Sequence, residues 1–159
     1  VVAPGDGAVL VDGADFELSS SEQLVLVGPS GCGKSTLLKG VAGLMPMRGG
    51  RLALHARDAN TLPSEQWRSQ VIYVRQEGGV GLPGAPAELF QKLVQLKAQR
   101  ARQPATVAHA ALRAALETLQ LPESLLTQEW SSLSGGQSQR VYLAMMVALK
   151  PSVLLLDEV

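Results

Sequence analysis

Gly28-Pro-Ser-Gly-Cys-Gly-Lys-Ser-Thr36 decides how this chain is read. The stretch fits Gly-x4-Gly-Lys-Ser/Thr, and its flanks suit a turn between a buried strand and a helix. Gln23-Leu-Val-Leu-Val27 before it is a short apolar run of the kind a buried parallel strand needs. Lys34 to Ala42 after it reads as a helix, with Leu37, Leu38 and Val41 on one face and Gly43 just past its end. A strand, a glycine-rich turn and a helix set several backbone N–H groups and the positive end of a helix dipole around one anion. Gly28, Gly31 and Gly33 let the backbone approach it, with Pro29, Ser30 and Cys32 completing the loop. In such a loop Lys34 reaches the β- and γ-phosphates of a nucleotide, the Ser35 hydroxyl ligates Mg2+, and Thr36 donates to the α-phosphate. Cys32, the one cysteine, excludes an internal disulfide and a multi-cysteine zinc site, and its place in the loop should make it open to alkylation.

A phosphate loop says only that a nucleoside triphosphate binds. The same site needs an acidic residue at the end of a buried strand. Val153-Leu-Leu-Leu156 is an apolar run too short for a core helix, and Pro151 before it stops the preceding helix. Asp157 closes that strand and is suited to hold Mg2+, directly or through water. Glu158 follows at the strand's C-terminal edge, where open α/β sheets place their ligands, and can take a proton from attacking water.

Leu133-Ser-Gly-Gly-Gln137 narrows the class. Ser134 stands where a helix N-cap belongs, and Gly135 to Leu149 continues as a helix. The N–H groups of Gly135 and Gly136 make a second anion site. One γ-phosphate has use for both sites only if another copy of the chain supplies the second. Leu133, Ser134, Gly135, Gly136 and Gln137, followed by Gln139-Arg140, resemble the signature of ABC-type ATPases at every core position. Val71-Ile-Tyr-Val-Arg-Gln76 resembles that family's glutamine loop, in which the glutamine, here Gln76, meets Mg2+ and the attacking water. The run from Arg102-Gln-Pro104 to the end further resembles the ATP-binding subunit of bacterial iron-export ABC transporters.

The resemblance implies an α/β P-loop NTPase fold with an ABC-type core, a mostly parallel sheet flanked by helices, and an inserted helical subdomain. The expected division is a nucleotide-binding core over 1–84 and 134–159, with strands within 7–18, and a helical subdomain over 85–133. ATP and Mg2+ are the implied ligands. Glu158, Gln76 and Lys34 are the implied catalytic set, and Ser35, Gln76 and Asp157 the metal set. A head-to-tail second ATPase subunit and a separate membrane-spanning permease are the implied partners, on the cytoplasmic face of the inner or plasma membrane. In relatives a crossing loop and a strand ending in histidine follow the catalytic glutamate. This sequence ends at Val159, so the expectation is a fragment truncated at its C-terminus, with little turnover by itself.

Composition fits a cytosolic enzyme domain: 159 residues, 46% hydrophobic, 4% aromatic, with zero formal net charge, so no global field points to nucleic acid. No apolar stretch approaches the ~18 residues of a membrane span. Lys92, Lys97, Arg100 and Arg102 read as the solvated face of one helix over 87–101 and its end. A second helix is expected over 106–119, a strand over 51–54, and a short helical connection over 60–69. Gly78 to Pro86 reads as a loop and hinge. Trp130 reads as subdomain core. Two alternatives remain open: a soluble ABC-type ATPase without a membrane partner, and a truncated nucleotide-binding module without turnover. The first meets the short separation of Gln76 and Leu133, which holds no sustained heptads for a coiled coil.

Overall fold

The computed structural model describes residues 11–158 and resolves into two compact units, one up to Leu62 and one from Pro63. The expected strands within 7–18 lie partly outside the described residues, and 11–18 form neither strand nor helix.

The first unit holds α1 (Lys34–Val41) and a small antiparallel pair, β1 (Ala53–Leu54) with β2 (Arg57–Asp58). Helix α1 is two turns long and ends where Ala42 and Gly43 donate back to Leu38 and Gly40. The expected strand over 51–54 is confined to its last two residues, which pair Ala53 with Asp58 and Leu54 with Arg57. His55 and Ala56, both at positive φ, make the tight turn between them. Arg51 closes the hairpin by an exposed ion pair to Asp58 at 3.0 Å.

The expected strand over 23–27 is not formed. These residues belong to no ladder among the described residues, and Val25 and Val27 are 77% and 90% exposed. An apolar run becomes a strand only when neighbouring strands take up its N–H and C=O groups, and here none does.

The second unit begins with α2 (Ser64–Gln70), which leads directly into β3 (Val71–Val74). Then come α3 (Pro86–Gln95), α4 (Lys97–Arg100), α5 (Ala105–Thr118), α6 (Gly135–Ala148) and β4 (Val153–Leu156). Strands β3 and β4 pair in parallel, Val71 opposite Val153 through Val74 opposite Leu156. The expected parallel sheet is thus represented among the described residues by this one pair. Helix α6 packs along α5 and against β3, and their shared core includes Val74, Phe90, Leu112, Leu116, Val141 and Met145. Trp130 is 2% exposed and belongs to that core, as its sequence context suggested.

The single helix expected over 87–101 is two. Leu96 leaves the helical region at φ −57°, ψ 134°, ending α3 and starting α4. No glycine or proline marks the break. It lets Gln99 and the residues after α4 turn onto the C-terminal end of α6, whose last carbonyls have no partner within the helix. Gln99 Nε2 donates to Leu149 O at 3.0 Å and Gln103 Nε2 to Ala148 O at 3.0 Å. Arg102 donates to Lys150 O at 2.7 Å and also to Ser69 O. Arg102 is therefore no part of a solvated basic face. It ties the entrance of β3 to the entrance of β4, and burial lowers its pKa.

Candidate nucleotide site

In the first unit, residues 28–36 form a turn entering α1. Gly31 and Gly33 stand at φ 81° and 98°, conformations that glycine adopts without Cβ strain. A Cβ on Gly28 would lie 2.8 Å from the Cys32 Sγ, a contact that rotation of the exposed thiol relieves. Gly33 is the N-cap of α1 and provides no side chain to satisfy the first-turn N–H groups. That leaves the helix end suited to an anion. Lys34 folds back over the loop, its Nζ donating to Gly28 O at 2.9 Å and Pro29 O at 3.0 Å. The lysine charge is thereby held at the mouth of the turn that starts the helix. Cys32 is exposed, and Pro29, Ser30 and Gly31 are exposed beside it.

In the second unit, the parallel register brings distant residues to one sheet edge. Gln76 lies two residues beyond Val74, and Glu158 two beyond Leu156, at matching ends of β3 and β4. Asp157 is buried at 8% exposure, and its N–H donates to Val74 O at 3.0 Å, extending the ladder by one bond. Tyr73 Oη donates to Asp157 Oδ2 at 2.6 Å. Burial, that hydrogen bond and the carboxylate's charge raise the Tyr73 phenol well above its usual range, which keeps the hydroxyl a donor. Gln76 and Glu158 are exposed. Glu158 takes φ 51°, a left-handed conformation that also occurs at the turn residues His55, Ala56 and Lys150.

Further along this unit, Leu133 is buried and anchors the segment that follows. Ser134 is the N-cap of α6 in a reciprocal capping box: its Oγ accepts from Gln137 N at 3.3 Å, and its N–H donates to Gln137 Oε1 at 2.9 Å. Gly135 and Gly136 are exposed in the first turn with open space where a Cβ would stand. Open space there removes any packing reason for glycine, while a ligand approaching the first-turn N–H groups provides one. Gly78 and Gly79 follow the Gln76 turn and pack onto Tyr142 and Trp130, respectively.

Tyr73 was not singled out from sequence. The signal available was a lone hydroxyl in an otherwise apolar strand, but its partner lies 84 residues away. Within the second unit, the amide oxygen of Gln76 and the carboxylate of Asp157 are hard oxygen donors at one sheet edge, of the chemistry that suits Mg2+.

A glycine-lined turn at a helix start and an acidic pair at the end of a parallel strand are the features that an α/β protein of the P-loop class carries. The family described as ABC transporter matches residues 11–159, and the chain belongs to that family. The probable iron export ATP-binding protein FetA of Escherichia coli (strain K12) is 38% identical over 155 residues, covering 98% of this chain and 65% of that protein. The Fe(3+) ions import ATP-binding protein FbpC 1 of Rhodococcus jostii (strain RHA1) is 35% identical over 168 residues, covering 96% of this chain and 42% of that protein. The chain therefore spans less than two thirds of the length of these relatives. Among solved structures, CbiO1 of Clostridium perfringens, part of the ABC transporter complex CbiONQ, superposes with a TM-score of 0.64 at 24% identity. That match covers 82% of this chain and 51% of CbiO1 and identifies the fold as that of an ABC-type P-loop NTPase.

Proposed function

We propose that the protein binds and hydrolyses ATP at a site shared between two head-to-tail copies, and that the cycle powers a separate membrane permease. The observation that carries this reading is the β3–β4 register, which gathers Gln76, Asp157 and Glu158 at one edge. In the proposal the loop from Gly28 to Thr36 cradles the phosphates and Lys34 leaves its loop carbonyls for the β- and γ-phosphates. Ser35, Gln76 and Asp157 would hold Mg2+, which neutralises phosphate charge when bound. Glu158 takes the proton of the attacking water, with Gln76 beside it. Leu133 to Gln137 caps the γ-phosphate of the partner copy through the Gly135 and Gly136 N–H groups.

The division into a core of 1–84 and 134–159 with a helical subdomain of 85–133 belongs to the same proposal. So does a place on the cytoplasmic face of the membrane, held by the permease. No helix among the described residues is long and apolar enough to cross a membrane, which fits a separate membrane chain. Iron export is the cargo named for one relative, while others of similar identity are named for iron import, sn-glycerol-3-phosphate import and diacetylchitobiose uptake, so family membership sets neither cargo nor direction.

The test is Glu158→Gln. ATP turnover by the full-length protein should fall about 10²–10⁴-fold while ATP binding remains. Full turnover in the variant would reject Glu158 as the base.

A further inference from the structure

Asp157 is fixed twice from β3. Its main chain donates to Val74 O at 3.0 Å, and its side chain accepts from Tyr73 Oη at 2.6 Å. The geometry follows from the register. Tyr73 stands opposite Leu155, so Asp157, two residues further along β4, lies on the same face of the pair and within reach of a long side chain. Strand β3 is otherwise Val71, Ile72 and Val74, which makes Tyr73 its one residue able to donate a side-chain hydrogen bond. A carboxylate at 8% exposure rotates at a cost, because each oxygen must keep a donor or a cation. A 2.6 Å bond from a phenol selects one orientation among those the strand end allows.

We propose that Tyr73 is a positioning residue for the metal-binding carboxylate: its hydroxyl holds Oδ2 of Asp157 and so sets the orientation in which that group meets Mg2+. The proposal rests on the reading of Asp157 given above. Carboxylates that serve metals are themselves held by hydrogen bonds, and removing such a support commonly weakens metal affinity by 10–100-fold. Phenylalanine at position 73 would keep the ring against its neighbours and delete only the donor.

The test uses a fluorescent ATP analogue bound to the full-length protein, with dissociation constants measured in saturating Mg2+ and in EDTA. The ratio of the two is the gain that Mg2+ confers, and it does not require turnover. In Tyr73→Phe that gain should fall about 10-fold while binding in EDTA is unchanged. Asp157→Asn should lose at least as much, and the double variant should lose no more than Asp157→Asn alone. Thermal melting of the nucleotide-free proteins separates fold from site. A Tyr73→Phe protein that melts early yet keeps the wild-type Mg2+ gain would overturn the proposal in favour of a packing role. An unchanged or larger gain, or losses that simply multiply in the double variant, would overturn it as well. If Asp157→Asn also keeps the full gain, Asp157 is not the metal carboxylate and both readings fall. If Asp157→Asn loses the gain and Tyr73→Phe does not, only the role of Tyr73 falls.

Discussion

Gly79 is held where no other residue fits. Its φ is 85°, and a Cβ there would lie 2.5 Å from the Trp130 ring and 2.7 Å from Ser138 O. The backbone N–H of Trp130 in turn donates to Gly84 O at 3.0 Å, so the segment after Gln76 is pinned at two points to the region before the signature. Gly79→Ala should destabilise the fold by about 1–3 kcal/mol, from overpacking against groups that are themselves buried. An unchanged urea midpoint would show that Trp130 can give way. Residue identity was the most legible level of this sequence. The sequence reading of the phosphate loop, the signature and the Asp157-Glu158 pair rests on motifs that are local and whose spacing is set by backbone chemistry. The Tyr73–Asp157 bond was not legible, because it depends on the register of two strands far apart in the chain.

Elements were legible where their ends are written in side chains. Ser134 and Gln137 announce the start of α6. At its end, Lys150 turns at φ 50° before Pro151 and stops the helix. The break at Leu96 carries no such mark, since its cause lies in Gln99, Arg102 and Gln103 reaching the carbonyls at the end of α6. The run over 23–27 misled for the opposite reason: its apolar residues describe a strand's side chains but say nothing of its ladder partners. Arg102 bridges Ser69 O and Lys150 O, the approaches to both parallel strands, and removing it deletes two charge-assisted hydrogen bonds. Arg102→Ala should cost about 1.5–3 kcal/mol of stability, with Arg102→Lys recovering only part because it lacks the fork. Equilibrium denaturation checks this; a loss below a few tenths of a kcal/mol would mean water replaces the guanidinium at no cost.

At the scale of the molecule, the phosphate loop lies in one compact unit, and the acidic edge and the signature lie in the other. The proposed function asks more of the signature than its own chain can use. Gly135 and Gly136 are exposed and crowd nothing, as a surface meant for a second copy would be. The most direct test of a site shared between two copies is sedimentation of the full-length Glu158→Gln protein with and without ATP and Mg2+. The expected result is a monomer without nucleotide, a dimer with ATP, and loss of that dimer when Ser134→Arg is added. A protein that stays monomeric with ATP bound, or a dimer that survives Ser134→Arg, would contradict a site shared between two copies.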